Sequence, residues 1–422
     1  MVRPLHIRGA HIWDGRETVQ RDLYTDGERI AAAPVNGAQV INLEGYTIFP
    51  GLINAHDHLE LNHYPRSKFR ERYDNARQWH EDMNVRLNEE PYKSLRAYPL
   101  WDKLFIGGLK NLLCGATTVA HHNPPHKDLW RKDFPVRVLK NYGWAHSFYL
   151  SSNEEIVQSY RSTPKDWPWY IHLAEGTDEV AANEYTRLEK LDCIDLNKTV
   201  LIHCVGMRKK GQHFIHLPED QTVDFIADHV RGVIWCPTTN LFLLGKTLVD
   251  DENNNVLPIT NAFGLGSDSR LTGAGDLLTE LSAAYQCFGD YPNIATHIVN
   301  LVLYDAGFIL FHKSVEDKNV KDWMFGQEYA DMVIIPTSEN DAIKLCNSAR
   351  ADLALVVKGG VPQIGDPDVM AKFSDVKTVT ATLDGKPKAI HIELAKRIHA
   401  NALKEPGLEV ESLPKRKLFQ FI

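Results

Sequence analysis

The sequence predicts an α/β protein whose largest part is a (β/α)8 TIM-like barrel with one strand shortened. Strand patterns alternate with helical stretches from residue 50 onwards, and polar residues recur where the strands end. Short strands with turn residues occupy the start of the chain and return after about residue 320. We therefore expect a barrel over residues 50–324 and a small composite β-domain over residues 1–49 and 325–422.

Composition and charge narrow the class of protein. The chain is 43% hydrophobic and 24% charged, contains no evident bilayer-spanning run, and starts without the apolar core of a signal peptide. A net charge of −8 disfavours a nucleic-acid-binding surface. The six cysteines show no C-x-x-C spacing, which argues against disulfides and an all-cysteine zinc site. We expect a cytoplasmic protein with no membrane partner.

Seven barrel strands are predicted from apolar runs that end in polar residues, and helical stretches lie between them. A barrel needs an eighth strand, which is either very short or lies within residues 62–98. The runs are GLINAH, ATTVAHH (116–122), WAHSFYL (144–150), WYIHLA (169–174), TVLIHCV (199–205), VIWCP (233–237) and FGLGSD (263–268).

The two ends of the chain are predicted to form the smaller β-domain. Residues 1–49 alternate strand-like pieces with glycine-containing turns, which indicates hairpins. ADMVIIP, ADLALVVKGG and TVTATLDGK repeat this pattern near the other end. The run AIHIELAKRIHANALKE predicts a C-terminal helix that closes the chain.

The candidate metal site begins with His56-Asp57-His58, at the end of the first barrel strand. Residues i and i+2 of a strand point to the same face, so these two imidazoles can reach one ion. Three later strands also end in polar residues, and the C-terminal ends of barrel strands meet at one rim. The later strand-end residues are His172, Glu175, His203 and Asp268.

Together these side chains indicate metal-assisted hydrolysis. Three imidazoles and a carboxylate suit zinc or iron with one position left for water, whose pKa the metal lowers. Glu175 is the candidate proton shuttle, and His203 would orient the hydroxide and stabilise the developing charge. Asp268 would bind the ion and accept a proton from the water.

Each residue taken alone also fits a structural role. A single strand-end histidine is commonly a hydrogen-bonded core residue. Glu175 fits an acid at a helix N-terminus, and Asp268 before Ser269 fits a helix cap. These roles do not explain why four separate strands end in such residues, so we favour the metal site.

Motifs along most of the chain resemble the amidohydrolase superfamily, in the branch of cytosine deaminase, S-adenosylhomocysteine deaminase and the triazine hydrolases. The resemblance implies a homodimer, with Glu175 and His203 as proton-transfer residues. Binuclear relatives use a carboxylated lysine on the fourth strand, and no lysine lies in WAHSFYLSS or WYIHL, so we expect one ion, with zinc favoured over iron. The implied ligands are His56, His58, His172 and Asp268. The motifs are PGLINAHDH, LLCGATTVAHH, HLAE, HCV, IWCPTTNLFL, GSDS and WMFGQEYADMVIIP.

Two departures from the family affect the rim where substrate would bind. Gly206 stands where the branch commonly has a second histidine, and the segment before His172 is short. Two further residues are candidates for substrate contacts. Trp79 lies in a predicted lid segment, where it would either stack on a planar ring or pack within the loop. His122, at the end of the second strand, is expected to line the pocket.

The predicted function is that of a mononuclear metal-dependent hydrolase, an aminohydrolase (deaminase) that acts on a nitrogen heterocycle through a metal-bound hydroxide. Its substrate would be a small molecule with a carbon–nitrogen bond other than a peptide bond. The alternative is ring opening of a cyclic amide, as in imidazolonepropionase. A remote alternative is a barrel that binds ligands without catalysis.

Overall fold

The chain is an α/β protein, as predicted, over the residues that the computed structural model describes: 2–207, 229–249, 263–288, 293–311 and 328–413. The strands are β1 (Leu5–Arg8), β2 (His11–Trp13), β3 (Thr18–Gln20), β4 (Leu23–Thr25), β5 (Ile30–Ala31), β6 (Gln39–Asn42), β7 (Tyr46–Pro50), β8 (Leu52–Asp57), β9 (Ala116–His121), β10 (Arg137–Val138), β11 (Gly143–Trp144), β12 (Trp169–Leu173), β13 (Thr199–His203), β14 (Gly232–Trp235), β15 (Phe263–Leu265), β16 (Met332–Pro336), β17 (Leu355–Lys358), β18 (Val361–Gly365), β19 (Thr378–Leu383), β20 (Lys386–His391) and β21 (Leu408–Val410). The helices are α1 (Ala76–Arg86), α2 (Tyr92–Arg96), α3 (Leu100–Leu113), α4 (Asn153–Ser162), α5 (Glu179–Ala182), α6 (Glu184–Lys190), α7 (Pro237–Leu244), α8 (Leu277–Gln286), α9 (Ile294–Asn300), α10 (Tyr304–Phe311), α11 (Asp341–Cys346), α12 (Pro367–Met370) and α13 (Ile392–Ala400).

Strands from both ends of the chain share one mixed sheet of order β21-β19-β20-β18-β17-β16-β7-β2-β3. Antiparallel pairing of β7 with β16 joins the N-terminal segment to the returning chain. A four-stranded sheet, β5-β4-β1-β6, also lies at the N-terminal end. The predicted C-terminal helix does not close the chain, because β21 follows α13 and pairs with β19. The division into two domains stays a prediction.

The other eight strands are parallel and form two sheets, β10-β9-β8 and β11-β12-β13-β14-β15. A parallel bridge between Asp57 and Asp268 connects the end of β8 to the residues after β15. All six residues of β8 are buried, which is typical of a parallel strand covered on both faces. Within the described residues no ladder pairs β10 with β11, so closure of the barrel stays a prediction.

The strand missing from the sequence analysis is β10, which is only two residues long and pairs with Thr118 and Val119 of β9. The other suggested place, residues 62–98, contains α1 and α2. The strand predicted over residues 144–150 is wrong in extent: β11 covers only Gly143–Trp144, and the backbone hydrogen bonds to β12 continue as far as His146. The amides of Leu150 and Ser151 both bond to the carbonyl of Ser147, which turns this aromatic run away from the sheet.

One stretch of the described chain, Ile294–Phe311, is apolar and long enough to cross a membrane by length and composition. The expectation that the chain has no such run is wrong by this criterion. The stretch is divided between α9 and α10, and 67% of it is buried in the fold. Such burial is typical of core helices, so the finding is weak support for a membrane span.

Candidate metal centre

The side chains predicted at the strand ends meet in one buried cluster. The Nε2 atoms of His58 and His172 lie 3.2 Å apart. The Oδ1 atom of Asp268 lies 3.5 Å from Nε2 of His58 and 3.7 Å from Nε2 of His56. Parallel strands thus bring four sequence-distant donors together at their C-terminal ends, as the barrel pattern predicts.

His122 lies in the same cluster, although the sequence analysis placed it among substrate contacts. His56, His58, His122 and His172 each offer one nitrogen, and these nitrogens lie within 4.8 Å of one another. The rings of His122 and His172 are stacked, with centroids 4.4 Å apart and planes 9° from parallel. All four rings are buried.

The backbone bends sharply at three of the strand ends. His203, Asp268 and Ala174, which precedes Glu175, have φ angles of 71°, 51° and 51°. Left-handed backbone is uncommon for residues other than glycine and collects at functional sites. These bends occur at the strand ends that carry the candidate residues.

Two donors are oriented by hydrogen bonds on their far sides. Nδ1 of His172 donates to the carbonyl oxygen of His146 at 2.8 Å, so the lone pair of the neutral ring is on Nε2. Oδ2 of Asp268 accepts hydrogen bonds from the hydroxyls of Thr272 at 2.8 Å and Thr239 at 3.1 Å. Both arrangements leave the atom that faces the cluster free to bind an ion.

Several nitrogens of the cluster are buried without a hydrogen bond to any described residue: both ring nitrogens of His56, Nδ1 of His58 and Nδ1 of His122. A buried polar atom left without a partner costs about 1–3 kcal/mol. Neutral imidazoles beside a carboxylate are the ligands that zinc and iron take in proteins. The donor set therefore fits a divalent ion.

Burial sets the protonation states of the cluster. It lowers the pKa of His172 and His122 well below the ordinary value and that of His203 to about 4, so these rings are neutral at pH 7. Burial alone would raise the pKa of Asp268, but His56, His58 and His203 together hold it below its usual range. Neutral imidazoles and an ionised carboxylate are the states that metal binding requires.

Glu175 and His203 lie side by side, with Oε2 of Glu175 3.6 Å from Nε2 of His203. Burial, and then the charges of Asp268 and Glu184, raise the pKa of Glu175 well above its usual range. Nδ1 of His203 is hydrogen-bonded to Oδ1 of Asn240 at 2.9 Å, which leaves Nε2 facing the carboxyl group. A carboxyl group that keeps its proton beside a metal site is suited to proton transfer.

Sequence reasoning missed three side chains beside the cluster. His146, just beyond β11, lies 4.8 Å from His172 between ring centroids, and burial lowers its pKa to about 3. The ring of Tyr149 lies 6.1 Å from that of His146, and His80 of α1 lies 5.9 Å from Tyr149. His146 had a usable signal, since it also follows a barrel strand, but it was read as part of a longer strand.

Two residues at the rim have contacts that bear on the sequence predictions. Trp79 lies in α1, where its indole nitrogen donates to the carbonyl of Ser67 at 2.9 Å and its ring packs near Met83. Its role in stacking on substrate stays a prediction. A Cβ atom on Gly206 would lie 3.1 Å from Cβ of Ala181, so this glycine allows close packing against α5. The basic stretch from residue 208 lies outside the described residues.

Comparison with known proteins supports the fold. No family model and no curated protein matches the sequence. An atrazine chlorohydrolase from Arthrobacter aurescens TC1 complexed with zinc is 17% identical, with a TM-score of 0.61 over 85% of this chain and 94% of that chain. An adenosine deaminase from Xanthomonas campestris with bound zinc is 15% identical, with a TM-score of 0.60 over 89% and 96%. An N-isopropylammelide isopropylaminohydrolase from Burkholderia multivorans is 14% identical, with a TM-score of 0.55 over 86% and 98%.

These solved structures belong to amidohydrolase superfamily members, and the chain shares their fold. The resemblance that the motifs indicated is therefore confirmed at the level of the fold. At 14–17% identity the likeness leaves activity and substrate to be argued from the site itself.

Proposed function

We propose that the chain is an aminohydrolase of the amidohydrolase superfamily that uses one divalent metal ion, zinc in preference to iron, to release ammonia from a nitrogen heterocycle. The observation that carries the proposal is the set of buried imidazole nitrogens, without hydrogen bonds, around the carboxylate of Asp268. The closed eight-stranded barrel, the composite β-domain and the homodimer belong to the same proposal.

The ion would be held by His56, His58, His172 and Asp268, whose donor atoms converge. Such an ion acts as a Lewis acid and lowers the pKa of water. Burial lowers the pKa of His56 and His172, which favours the neutral imidazoles that this role needs.

Glu175 would supply the proton for the departing group. Its raised pKa keeps a proton on the carboxyl group at neutral pH, and its side chain is largely buried beside the cluster. In this proposal Glu175 donates that proton to a ring nitrogen of the substrate and then carries the proton of the newly added hydroxyl to the amino group, which departs as ammonia. Nε2 of His203, 3.6 Å from Oε2 of Glu175, is the second proton-transfer group.

A planar heterocycle is supported by the side chains around the cluster and by the structural neighbours. His146 provides an aromatic ring next to the candidate ligand His172, and Tyr149 and His80 follow it in a chain of ring contacts. The neighbours include proteins named for hydrolysis of triazines and for deamination of adenosine, two of them solved with zinc.

Metal content is the first test of this proposal. We expect about one equivalent of zinc or iron per chain in the wild type, and loss of most of it in His172→Ala. His399→Ala is the control, since His399 is exposed and bonds to the carbonyl of Glu411 far from the cluster. Elemental analysis of the three proteins decides the matter: no metal in the wild type would contradict the proposal, and two equivalents would contradict a single ion.

The loaded wild type should then release ammonia from at least one member of a panel of amino-substituted heterocycles. Release is measured directly, because ring opening of a cyclic amide yields a product without ammonia. If product forms without ammonia, the reaction is ring opening instead of deamination. The proposal of a metal site is unaffected by that result.

A further inference from the structure

His122, which directly follows β9, has a role that the proposed ligand set does not include. We propose that His122 is a fourth histidine ligand of the ion and that it binds through Nδ1. This inference rests on the proposed function, because it concerns the same ion. It replaces the role in substrate contact that the sequence suggested for His122.

The surroundings of the two adjacent histidines distinguish their roles. His121 is the last residue of β9 and His122 follows it, and the contacts of the two side chains differ. Nδ1 of His121 accepts a weak hydrogen bond from the amide of Leu59 at 3.4 Å, and its Nε2 lies 3.8 Å from the carboxylate of Glu60. His122 points into the cluster, 5.2 Å from His56 and 5.7 Å from His58 between ring centroids.

The tautomer of His122 is set by its other nitrogen. Nε2 lies 3.0 Å from the carbonyl oxygen of Ala145, which can only accept, so Nε2 carries the hydrogen of the neutral ring. Nδ1 therefore presents a lone pair. This is the arrangement of metal-binding histidines, whose second nitrogen commonly donates to a carbonyl or carboxylate.

That lone pair has no partner among the described residues. Nδ1 of His122 is buried without a hydrogen bond, and the side chain as a whole is 2% exposed. One ring nitrogen of His122 lies within 4.8 Å of one nitrogen on each of His56, His58 and His172. Because Nε2 is bonded to Ala145, Nδ1 is the nitrogen that a single ion among them would satisfy.

The consequence is a site with more protein donors than a tetrahedral ion uses. Four imidazoles and Asp268 make five donors, whereas catalytic zinc commonly has three protein ligands and an open position. We therefore expect an ion with five protein ligands, and with six ligands when substrate or water is also bound. Removal of the Nδ1 donor should lower the coordination number by one.

A glutamine at position 122 provides a selective variant. The side-chain amide of His122→Gln can still donate to Ala145 in place of Nε2, but it offers no lone pair at the position of Nδ1. His121→Gln is the matched control, because it removes the adjacent and similarly buried histidine, whose ring contacts Leu59 and Glu60. Retention of the wild-type circular dichroism spectrum would show that each variant folds.

Two measurements test the ligand role without an activity assay. Competition with a chromophoric chelator should show zinc affinity reduced by more than about tenfold in His122→Gln and unchanged in His121→Gln. The absorption spectrum of cobalt(II)-substituted protein, which reports coordination geometry, should change only in His122→Gln. X-ray absorption of the zinc-loaded wild type should count four imidazoles, which tests the inference even if a variant fails to fold.

Unchanged affinity and cobalt spectrum in His122→Gln, or three imidazoles in the wild type, would overturn this inference and leave the proposed function intact. Equal weakening in both glutamine variants with an unchanged cobalt spectrum would also overturn it, because that result reflects packing. A wild type that binds neither zinc nor cobalt would overturn both the inference and the proposed function.

Discussion

Buried polar groups lie on both faces of the chain at His56-Asp57-His58. Several of those on one face lack hydrogen-bond partners among the described residues, whereas those on the other face have them. On one face, ring nitrogens of both histidines lack hydrogen bonds. On the other, Asp57 forms an ion pair with Lys110 of α3 at 3.0 Å, and both side chains are fully buried. Polar side chains around this pair complete its hydrogen bonds. They are Asn54, Asn62, Asn111 and Ser267.

The difference shows which buried polar groups serve structure and which await a ligand. An ion pair whose lone pairs and protons are all satisfied can remain in the interior, and it fixes the backbone between the two histidines. Both ring nitrogens of His56 and Nδ1 of His58, one residue away on either side, have no hydrogen bonds to the described residues. Their burial therefore does not stabilise the fold unless a ligand binds. We read the Asp57–Lys110 face as the support that positions the histidines and the opposite face as the binding site.

The largest expected effect is a loss of catalytic activity when a residue on the binding-site face is changed. Glu175→Gln should lower kcat by about 10²–10⁴-fold, because the amide cannot donate a proton as the carboxyl group does. Metal content and the free energy of unfolding should change little, since Glu175 is not a predicted ligand. Activity within a few-fold of wild type on an accepted substrate would remove Glu175 from the proposed mechanism.

On the opposite face, loss of one charge should cost stability. Lys110→Met leaves the carboxylate of Asp57 buried without its cation. We expect the free energy of unfolding, measured in urea, to fall by about 3–5 kcal/mol. The double variant Lys110→Met/Asp57→Asn removes both charges and should recover part of that loss. If Lys110→Met unfolds like the wild type, this face does not act as a structural support.

Zinc should stabilise the folded protein through the histidine cluster. The Asp57–Lys110 ion pair should not contribute to this stabilisation. At a free zinc concentration of about 100 times the dissociation constant, the metal-free wild type should gain about 2.7 kcal/mol against unfolding. His58→Ala should lose most of this gain, whereas Lys110→Met, where it folds, should keep most of it. Urea titrations with and without zinc measure both. Equal gains in wild type and His58→Ala would place the zinc elsewhere.

The same comparison explains which residues of the site could be predicted from the sequence. The strand-end positions of His56, His172, His203 and Asp268 were predictable because parallel strands of one architecture end at the same rim. Asp57 was not separable from its neighbours, since a motif does not reveal which face each side chain takes. Lys110 gave no signal either, because a lysine within a helix is ordinarily exposed and only tertiary packing buries it.

The short strands were the other feature that could not be predicted from the sequence. The two residues of β10 are too few to show a period, and β11 was read as a longer strand because aromatic residues follow it. That error hid His146, whose position becomes clear only once the chain is seen to turn from Ser147 onwards. The eighth strand and a site histidine were therefore missed for the same reason: local pattern does not fix where pairing ends.

The smallest effect concerns Glu280 of α8, a buried acid that accepts hydrogen bonds from the amide and hydroxyl of Thr238. Unlike Asp57, it has no cation in its hydrogen-bond set, and burial raises its pKa from 4.5 to about 8. The fold thus holds a proton that the unfolded chain releases above pH 4.5. Its contribution to stability is complete below that pH and is lost as the pH rises towards 8.

Relative to Glu280→Gln, the wild type should therefore lose up to about 1.4 kcal/mol of unfolding free energy per pH unit across this window. The glutamine keeps an oxygen for the amide of Thr238 but has no proton to release, so the difference between the two proteins isolates one titration. Urea unfolding at pH 5, 6.5 and 8 measures it. Parallel pH profiles would show that Glu280 is ionised in the fold, and that a buried acid here needs no cation of the kind that Lys110 supplies to Asp57.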